Sequence, residues 1–589
     1  MKQGFDGLKR LFVYIKPYKV NFYFAIILAI VSVIANALTP FIWGLIITEV
    51  GKNVIDMASG VAGAAINYGY VVQILIIVAM VSVLYQITSY GSNVMITNVI
   101  QDGTHDLRND IDRKINRLPV SYFDRTTYGN ILSRITNDVD TISNAMQQGF
   151  LQIIISILGI GTALLMMALI SIPMMIIAGL IIPATIIVSR ILVKRSQPYF
   201  KKQQNTLGEM NGYIQEDYSG FNIIKLFNRE QEALNDFKEI NHRMAKVSFK
   251  ALFTSGLIMP ISGLITHLAY MGVAVLGGYF VIVGVITLGN LQAFCQYIWQ
   301  INQPVSQITQ LTSALQSAGA AISRVFEILD ETEEPAEDTV MRMPDEFHGD
   351  VAFENVRFGY NPETPLIKDL NFEVKSGQTV AIVGPTGAGK TTLINLLMRF
   401  YDIDSGAIKI DGISTMDMKR EDVRSMFGMV LQDAWLYNAT ISDNIRFGKL
   451  DAQEYEIVDA AKSANVHHFI KTLPDGYEMM LNEEASNVSQ GQKQLLTIAR
   501  AIISDPKILI LDEATSSVDT RLELLIQKAM KRVMEGRTSF VIAHRLSTIR
   551  DADLILVMNH GEIIEQGTHE SLLAQGGFYE QLYNSQFAE

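Results

Sequence analysis

Residues 384–392 read Gly384-Pro385-Thr386-Gly387-Ala388-Gly389-Lys390-Thr391-Thr392, a pattern of glycine, lysine and hydroxyl that can hold a nucleoside triphosphate. The three glycines let the backbone curl until its N–H groups converge on phosphate oxygens. Lys390 adds a compact positive charge for the β- and γ-phosphates, and the Thr391 hydroxyl can ligate Mg2+. A pair of acids, Asp512 and Glu513, ends the apolar run Ile508–Leu511. Asp512 can belong to the Mg2+ shell, and Glu513 can polarise the water that attacks the γ-phosphate.

Such a loop works only between the right elements. Thr379–Val383 reads as a buried strand leading in, and the apolar run from Leu393 reads as a helix leading out. Lys507–Leu511 reads as a second buried strand that delivers the acidic pair. From about residue 350 short strands alternate with soluble helical sequence, as in an α/β protein. The preceding stretch, 330–349, is acidic and contains proline without periodicity, so it reads as a linker.

The first 329 residues are different in kind. Across the 589-residue chain 49% of residues are hydrophobic, and long uncharged runs gather in this half. Six are of membrane length, at 21–48, 71–99, 147–170, 172–189, 251–282 and 289–320, where about 20 residues suffice to cross a bilayer. Basic residues crowd the segment before the first run, the loop after the second and the loop after the fourth, whereas the opposite loops carry only Lys52. The positive-inside rule therefore places both termini in the cytoplasm. The two long cytoplasmic loops, 100–146 and 190–250, read as extensions of the membrane helices. A net charge of −12 and the lack of a basic stripe exclude a nucleic-acid partner. Cys295 is the single cysteine, which excludes an internal disulfide or a CxxC site.

Downstream of the glycine loop come Gln432 in VLQD, Val488-Ser489-Gln490-Gly491-Gln492, Asp512-Glu513, Ser517-Val518-Asp519 and His544 in VIAHRLST. In this order and spacing, 350–589 resembles the nucleotide-binding domain of ATP-binding-cassette (ABC) transporters. The resemblance implies ATP and Mg2+ as cofactors and a set of roles. Tyr360 would stack on adenine, and Gln432 would reach Mg2+ and sense the membrane domain. Ser489 and Gly491, with Gln492 of the same signature, would serve an ATP held on a partner domain. Asp519 would bridge the two domains, and His544 would act as the γ-phosphate switch. Residues 118–140 and 219–237 resemble the cytoplasmic loops through which ABC exporters press coupling helices onto their ATPase domains. The implied fold is an α-helical six-span transmembrane domain followed by a cytosolic α/β phosphate-loop ABC ATPase domain with an α-helical subdomain. The chain thus resembles an exporter-type half-transporter.

One phosphate loop and one signature per chain require a second half-transporter as partner. Val488 stands where the family usually has leucine, and 481–487 lacks the family's valine-glycine-glutamate core. With Glu513, Gln432 and His544 intact, the chain resembles the catalytically complete half of bacterial heterodimeric multidrug exporters, so a heterodimer is favoured over a homodimer. In the last membrane segment Gln292, Gln296, Gln300, Gln303, Gln307 and Gln310 recur at helical spacing and share one face. That face is expected to line the translocation path, with interhelical hydrogen bonding as the structural alternative. The central parts of the spans are expected to present no acid or base, leaving amide groups, aromatic rings such as Tyr297 and Trp299, and apolar surface. This favours amphipathic small-molecule cargo in a multidrug-type exporter; a lipid or glycolipid flippase would use a similar surface. An ATP-gated channel or regulatory subunit on the same scaffold is the alternative of another class. The lean length and the lack of an organelle-targeting segment lead to the expectation of a bacterial inner membrane.

Overall fold

The computed structural model describes residues 2–62, 64–335, 337, 347–361, 363–431, 434–482, 485–512, 520–543 and 546–586. The chain divides into two compact units, 1–118 with 126–332, and 119–125 with 333–589.

The first unit is built of helices and loops, with no strand among its described residues. Among the described residues five helical stretches are long and apolar enough to cross a membrane: Lys9–Ala58, Tyr68–Ile115, Leu151–Ile170, Ile172–Ser219 and Glu230–Ile282. The sixth segment expected from the sequence lies in one continuous helix, Leu288–Asp330, which runs through Pro304. Between the third and fourth stretches the chain turns at Ser171, whose backbone is extended. Two contacts set the packing of the last helix. At one end Gly289 meets Gly44 of helix Lys19–Ala58 so closely that a Cβ on Gly289 would lie 1.6 Å from the Gly44 carbonyl oxygen. Small residues permit this backbone-to-backbone approach where lipid supplies no hydrophobic drive. At the other end Arg10 of the N-terminal helix Lys2–Ile15 donates two 2.6 Å hydrogen bonds to Asp330 and lies 3.9 Å from the centre of the Phe326 ring. Leu11 is buried beside it, with Leu107, Ile111 and Val325.

The second unit is an α/β fold with two sheets. The antiparallel sheet has the order β2-β1-β4-β5, built from β1 (Val351–Phe358), β2 (Ile367–Val374), β4 (Ser405–Ile410) and β5 (Ile413–Ser414). The larger sheet contains β3 (Thr379–Val383), β6 (Phe427–Val430), β7 (Ile508–Asp512), β8 (Thr538–Ile542), β9 (Leu554–Asn559) and β10 (Glu562–Gly567), in the order β10-β9-β3-β8-β7-β6. All its pairings except β9–β10 are parallel. Their near-continuous apolar runs suit strands buried on both faces. A helical portion holding Ile441–Arg446, Glu454–Ser463 and Gln490–Ile503 has its own core of Ile441, Ile457, Leu495 and Leu496.

Two described acids of 330–349 are tied down within the second unit. Glu337 accepts hydrogen bonds from the Arg420 backbone and guanidinium, both at 2.8 Å, and Glu334 accepts one from Arg424 at 3.1 Å. Of these two arginines Arg420 is buried and Arg424 partly so.

Candidate functional site

The parallel register dictates where the nucleotide chemistry can assemble. β3, β8, β7 and β6 run the same way, so their carboxyl ends share one edge of the sheet. Open parallel sheets bind ligands at that edge. From it emerge the phosphate loop after Val383, Ala543 after β8, Asp512 at the end of β7 and Leu431 after β6. Gln432, Glu513 and His544 follow directly in the chain, but they, with Asp519, lie outside the described residues.

The loop itself is shaped for phosphate. Gly384 has φ +153° and Gly389 has φ +102°; a Cβ on Gly384 would strike the Met558 carbonyl oxygen at 2.2 Å. Gly387, with φ +82°, has no atom within 4 Å of its Cβ position, which leaves room for a ligand against the backbone. Gly561 N–H donates to the Ala388 carbonyl at 2.9 Å and anchors the loop to the β9–β10 turn. Lys390 opens the helix Lys390–Leu397, and its Nζ donates to the carbonyls of Gly384 (2.6 Å) and Pro385 (3.1 Å). Burial lowers the Lys390 pKa, and the negative charge of Asp512 partly offsets this. The lysine and the β7 carboxylate therefore sense each other across the site. Thr391 is exposed at the helix start, and the Thr392 hydroxyl shares a 3.1 Å hydrogen bond with Tyr360. Tyr360 stands edge-on to Phe358 and Tyr401, half exposed, with its ring available for stacking. Glycine cradle, ammonium, hydroxyl and carboxylate together fit a Mg2+-nucleotide. Lys390 and the loop N–H groups would hold the phosphates, and Thr391 and Asp512 would hold the metal.

Ser489 caps the helix Gln490–Ile503, with Gln492 returning the bond: Gln492 N–H donates to Ser489 Oγ at 3.4 Å, and Ser489 N–H donates to Gln492 Oε1 at 2.8 Å. This reciprocal cap holds an exposed serine at a helix N-terminus. Gln492 therefore positions the signature, and Gly491 is buried beneath it.

The sequence did not reveal the neighbour of Tyr401. The short helix Val120–Arg125 belongs to this unit, and its Asp124 accepts a hydrogen bond from the Tyr401 hydroxyl. Burial, then this bond, raises the Tyr401 pKa.

In the helical unit, Gln292 and Gln296 line a cavity of 480 Å³ together with Trp299. Gln300 Nε2 reaches the Asn36 carbonyl at 3.5 Å, and Gln307 Oε1 accepts from Gln152 Nε2 at 2.6 Å. The stripe thus splits between cavity and interhelical bonding, while the side chains of Gln303 and Gln310 lie outside the described set. Two expectations are corrected. Tyr297 is fully buried and donates to the Ala37 carbonyl at 2.7 Å, so it faces the bundle core. The cavity wall on this helix includes Leu291, Gln292, Cys295, Gln296 and Trp299, but not Tyr297. The spans also do hold a base: His267 lies within Ile258–Ile282, with its ring 5.3 Å from that of Trp299.

Fold and site together define a phosphate-loop ATPase joined to a helical membrane domain. The model of the ABC transporter transmembrane region matches residues 22–305, and that described as ABC transporter matches 367–516. The chain is 46% identical over 530 residues to a protein of Mycobacterium tuberculosis named fatty acid ABC transporter ATP-binding/permease protein, covering 90% of this chain and 84% of that one. It is 34% identical over 502 residues to an ATP-dependent lipid A-core flippase of Syntrophus aciditrophicus, covering 85% and 83%. The structure of a bacterial Atm1-family ABC exporter with ATP bound matches with a TM-score of 0.76 and 28% identity, over 97% of this chain and 99% of that one. The chain belongs to the ABC transporters and is a half-transporter of the exporter type. It uses ATP and Mg2+, couples ATP hydrolysis to transport, and works as a dimer in the bilayer. It is a multi-pass inner-membrane protein with a cytosolic ATPase domain.

Proposed function

We propose that this half-transporter exports amphipathic compounds by alternating access, as the catalytically complete half of a heterodimer. The carrying observation is the shared sheet edge from which the phosphate loop, Asp512 and the segments leading to Gln432, Glu513 and His544 all depart. In this reading 1–329 forms the membrane domain, 330–349 the linker and 350–589 the ATPase. Glu513 polarises the attacking water, His544 senses the γ-phosphate, and Gln432 joins Thr391 and Asp512 around Mg2+. Tyr360 stacks on the base, while Ser489 and Gly491 serve the nucleotide on the partner chain, with Asp519 between the domains. Closure of two ATPase domains on ATP turns the cavity outward, and hydrolysis resets it.

The membrane surface by itself favours multidrug-type cargo. The relatives named for a fatty acid and for lipid A-core support a lipidic amphiphile as the narrower alternative. ATPase activity of the chain, alone and with a homologous half, each with and without Glu513→Gln, tests the assembly. Activity that needs the second half and collapses on this one substitution is expected. Robust turnover by the chain alone overturns the heterodimer in favour of a homodimer. Gln296→Ala with Gln300→Ala should alter transport; unchanged transport of drugs and lipids alike removes the glutamine face from the path.

A further inference from the structure

His267 is the only Asp, Glu, Lys, Arg or His within the six apolar segments. It lies 15 residues before Ile282 and 17 after Lys250, about 22 Å and 25 Å along a helix at 1.5 Å per residue. That is deep within a hydrocarbon layer about 30 Å thick. An ionisable side chain at such depth is costly against lipid and belongs beside a polar cavity.

The cavity is at hand. His267, Tyr270 and Ala274 share one face of their helix, and Tyr270 and Ala274 line the 480 Å³ space. Trp299, which closes the cavity from the facing helix, meets the imidazole edge-on at 5.3 Å with the rings at 80°. Gln296 lies one turn away on the Trp299 face. Tyr270 and Cys295 line the same space. Toward the other end, Ile47 and Leu291 supply apolar wall. The Gln292 Oε1 there is buried without a partner among the described residues, which marks a second polar point inside the space.

We propose that His267, Trp299 and Gln296 form the polar end of a cargo pocket that receives the carboxylate of a single-chain amphiphile, its tail lying between Ile47, Ala274 and Leu291. The proposal rests on the reading of this cavity as part of the cargo path. Imidazole, indole and amide all present N–H donors, and a carboxylate only accepts. The one group here able to become a cation is a base, and no carboxylate stands in the spans to attract one from the cargo. The volume lies in the lower half of the usual ligand-pocket range, about 300–1,000 Å³, which suits one chain better than a multi-chain lipid.

The test is equilibrium binding of radiolabelled laurate and of its neutral primary amide to the full-length dimeric transporter in nanodiscs, without nucleotide. Wild type should prefer laurate. His267→Phe, which keeps a ring against Trp299, should weaken laurate at least tenfold and leave the amide within twofold. Retained amide binding also shows that the variant is folded. Should His267→Phe fail to assemble, His267→Gln, which keeps a donor but cannot become charged, should show the same selective loss. Equal laurate binding by wild type and variant, parallel loss of both probes in a folded variant, or a wild-type preference for the amide each overturns the proposal. If laurate is indifferent to position 267 while Gln296→Ala still alters transport, the cargo-path reading survives and this one alone fails.

Discussion

Lys390 shows how one residue is prepared for its task. Its ammonium is drawn over the loop by the Gly384 and Pro385 carbonyls, where burial lowers its pKa and Asp512 supports its charge. Lys390→Ala should therefore reduce ATP turnover about 10²–10³-fold, the usual loss of an electrostatic donor aimed at developing charge, with little change in the melting temperature; a coupled-enzyme ATPase assay beside a thermal melt checks both. His467 carries a pH prediction. Burial chiefly, then Lys471 and Lys462, lower its pKa, and its Nδ1 lies 2.7 Å from the Tyr477 hydroxyl. The folded state thus resists protonation that the unfolded chain accepts. Its contribution to stability is complete above the unfolded value of about 6.5 and is lost as pH falls below it. Melting temperatures between pH 7.5 and 5.5 should decline less steeply in His467→Gln than in wild type.

At the scale of elements, packing depends on what is missing as much as on what is present. Helices Lys19–Ala58 and Leu288–Asp330 approach through Gly44 and Gly289, with the Thr48 hydroxyl donating to the Gly44 carbonyl at 2.9 Å and lying 3.0 Å from that of Thr287. A methyl group at 289 must push backbone away from backbone. Gly289→Ala should destabilise the membrane unit by about 1–3 kcal/mol, the range for overpacking, seen as a lower melting temperature in detergent; an unchanged melt would mean the helices separate freely. In the ATPase unit the element that matters is the strand end. β7 brings Asp512 to the sheet edge because Ile508–Leu511 are buried on both faces and leave it one way to emerge.

For the whole molecule, ATP turnover must reach the cargo path, and Asp124 on its short helix is a point where that coupling can be probed. Tyr401, which donates to Asp124, also stands edge-on to Tyr360 and Phe358 beside the nucleotide loop. Tyr401→Phe retains the ring packing and removes the hydroxyl. It should leave basal ATP hydrolysis within about twofold and reduce its stimulation by cargo several-fold, a gap below the roughly 1.4 kcal/mol that a tenfold change represents. Equal basal and stimulated rates relative to wild type would assign this hydroxyl to local packing alone.

The class of protein was legible because its chemistry is written in short range. A glycine loop between a buried strand and a helix, and an acidic pair at the end of another strand, each sit within a dozen residues, so spacing alone determines their geometry. Membrane segments are equally local, since length and apolarity decide them. Tertiary structure decided which way each face turns. The glutamine spacing defined a stripe, but packing against the helices of Asn36 and Gln152 directed Gln300 and Gln307 to interhelical partners and left Gln292 and Gln296 at the cavity. Tyr297 turned inward because the Ala37 carbonyl could satisfy its hydroxyl. Gln492 took up a cap rather than an open position, and His267 acquired Trp299 from a helix 32 positions along the chain. Such pairings join residues far apart in sequence, and periodicity reports the side of a helix without naming what will stand opposite it.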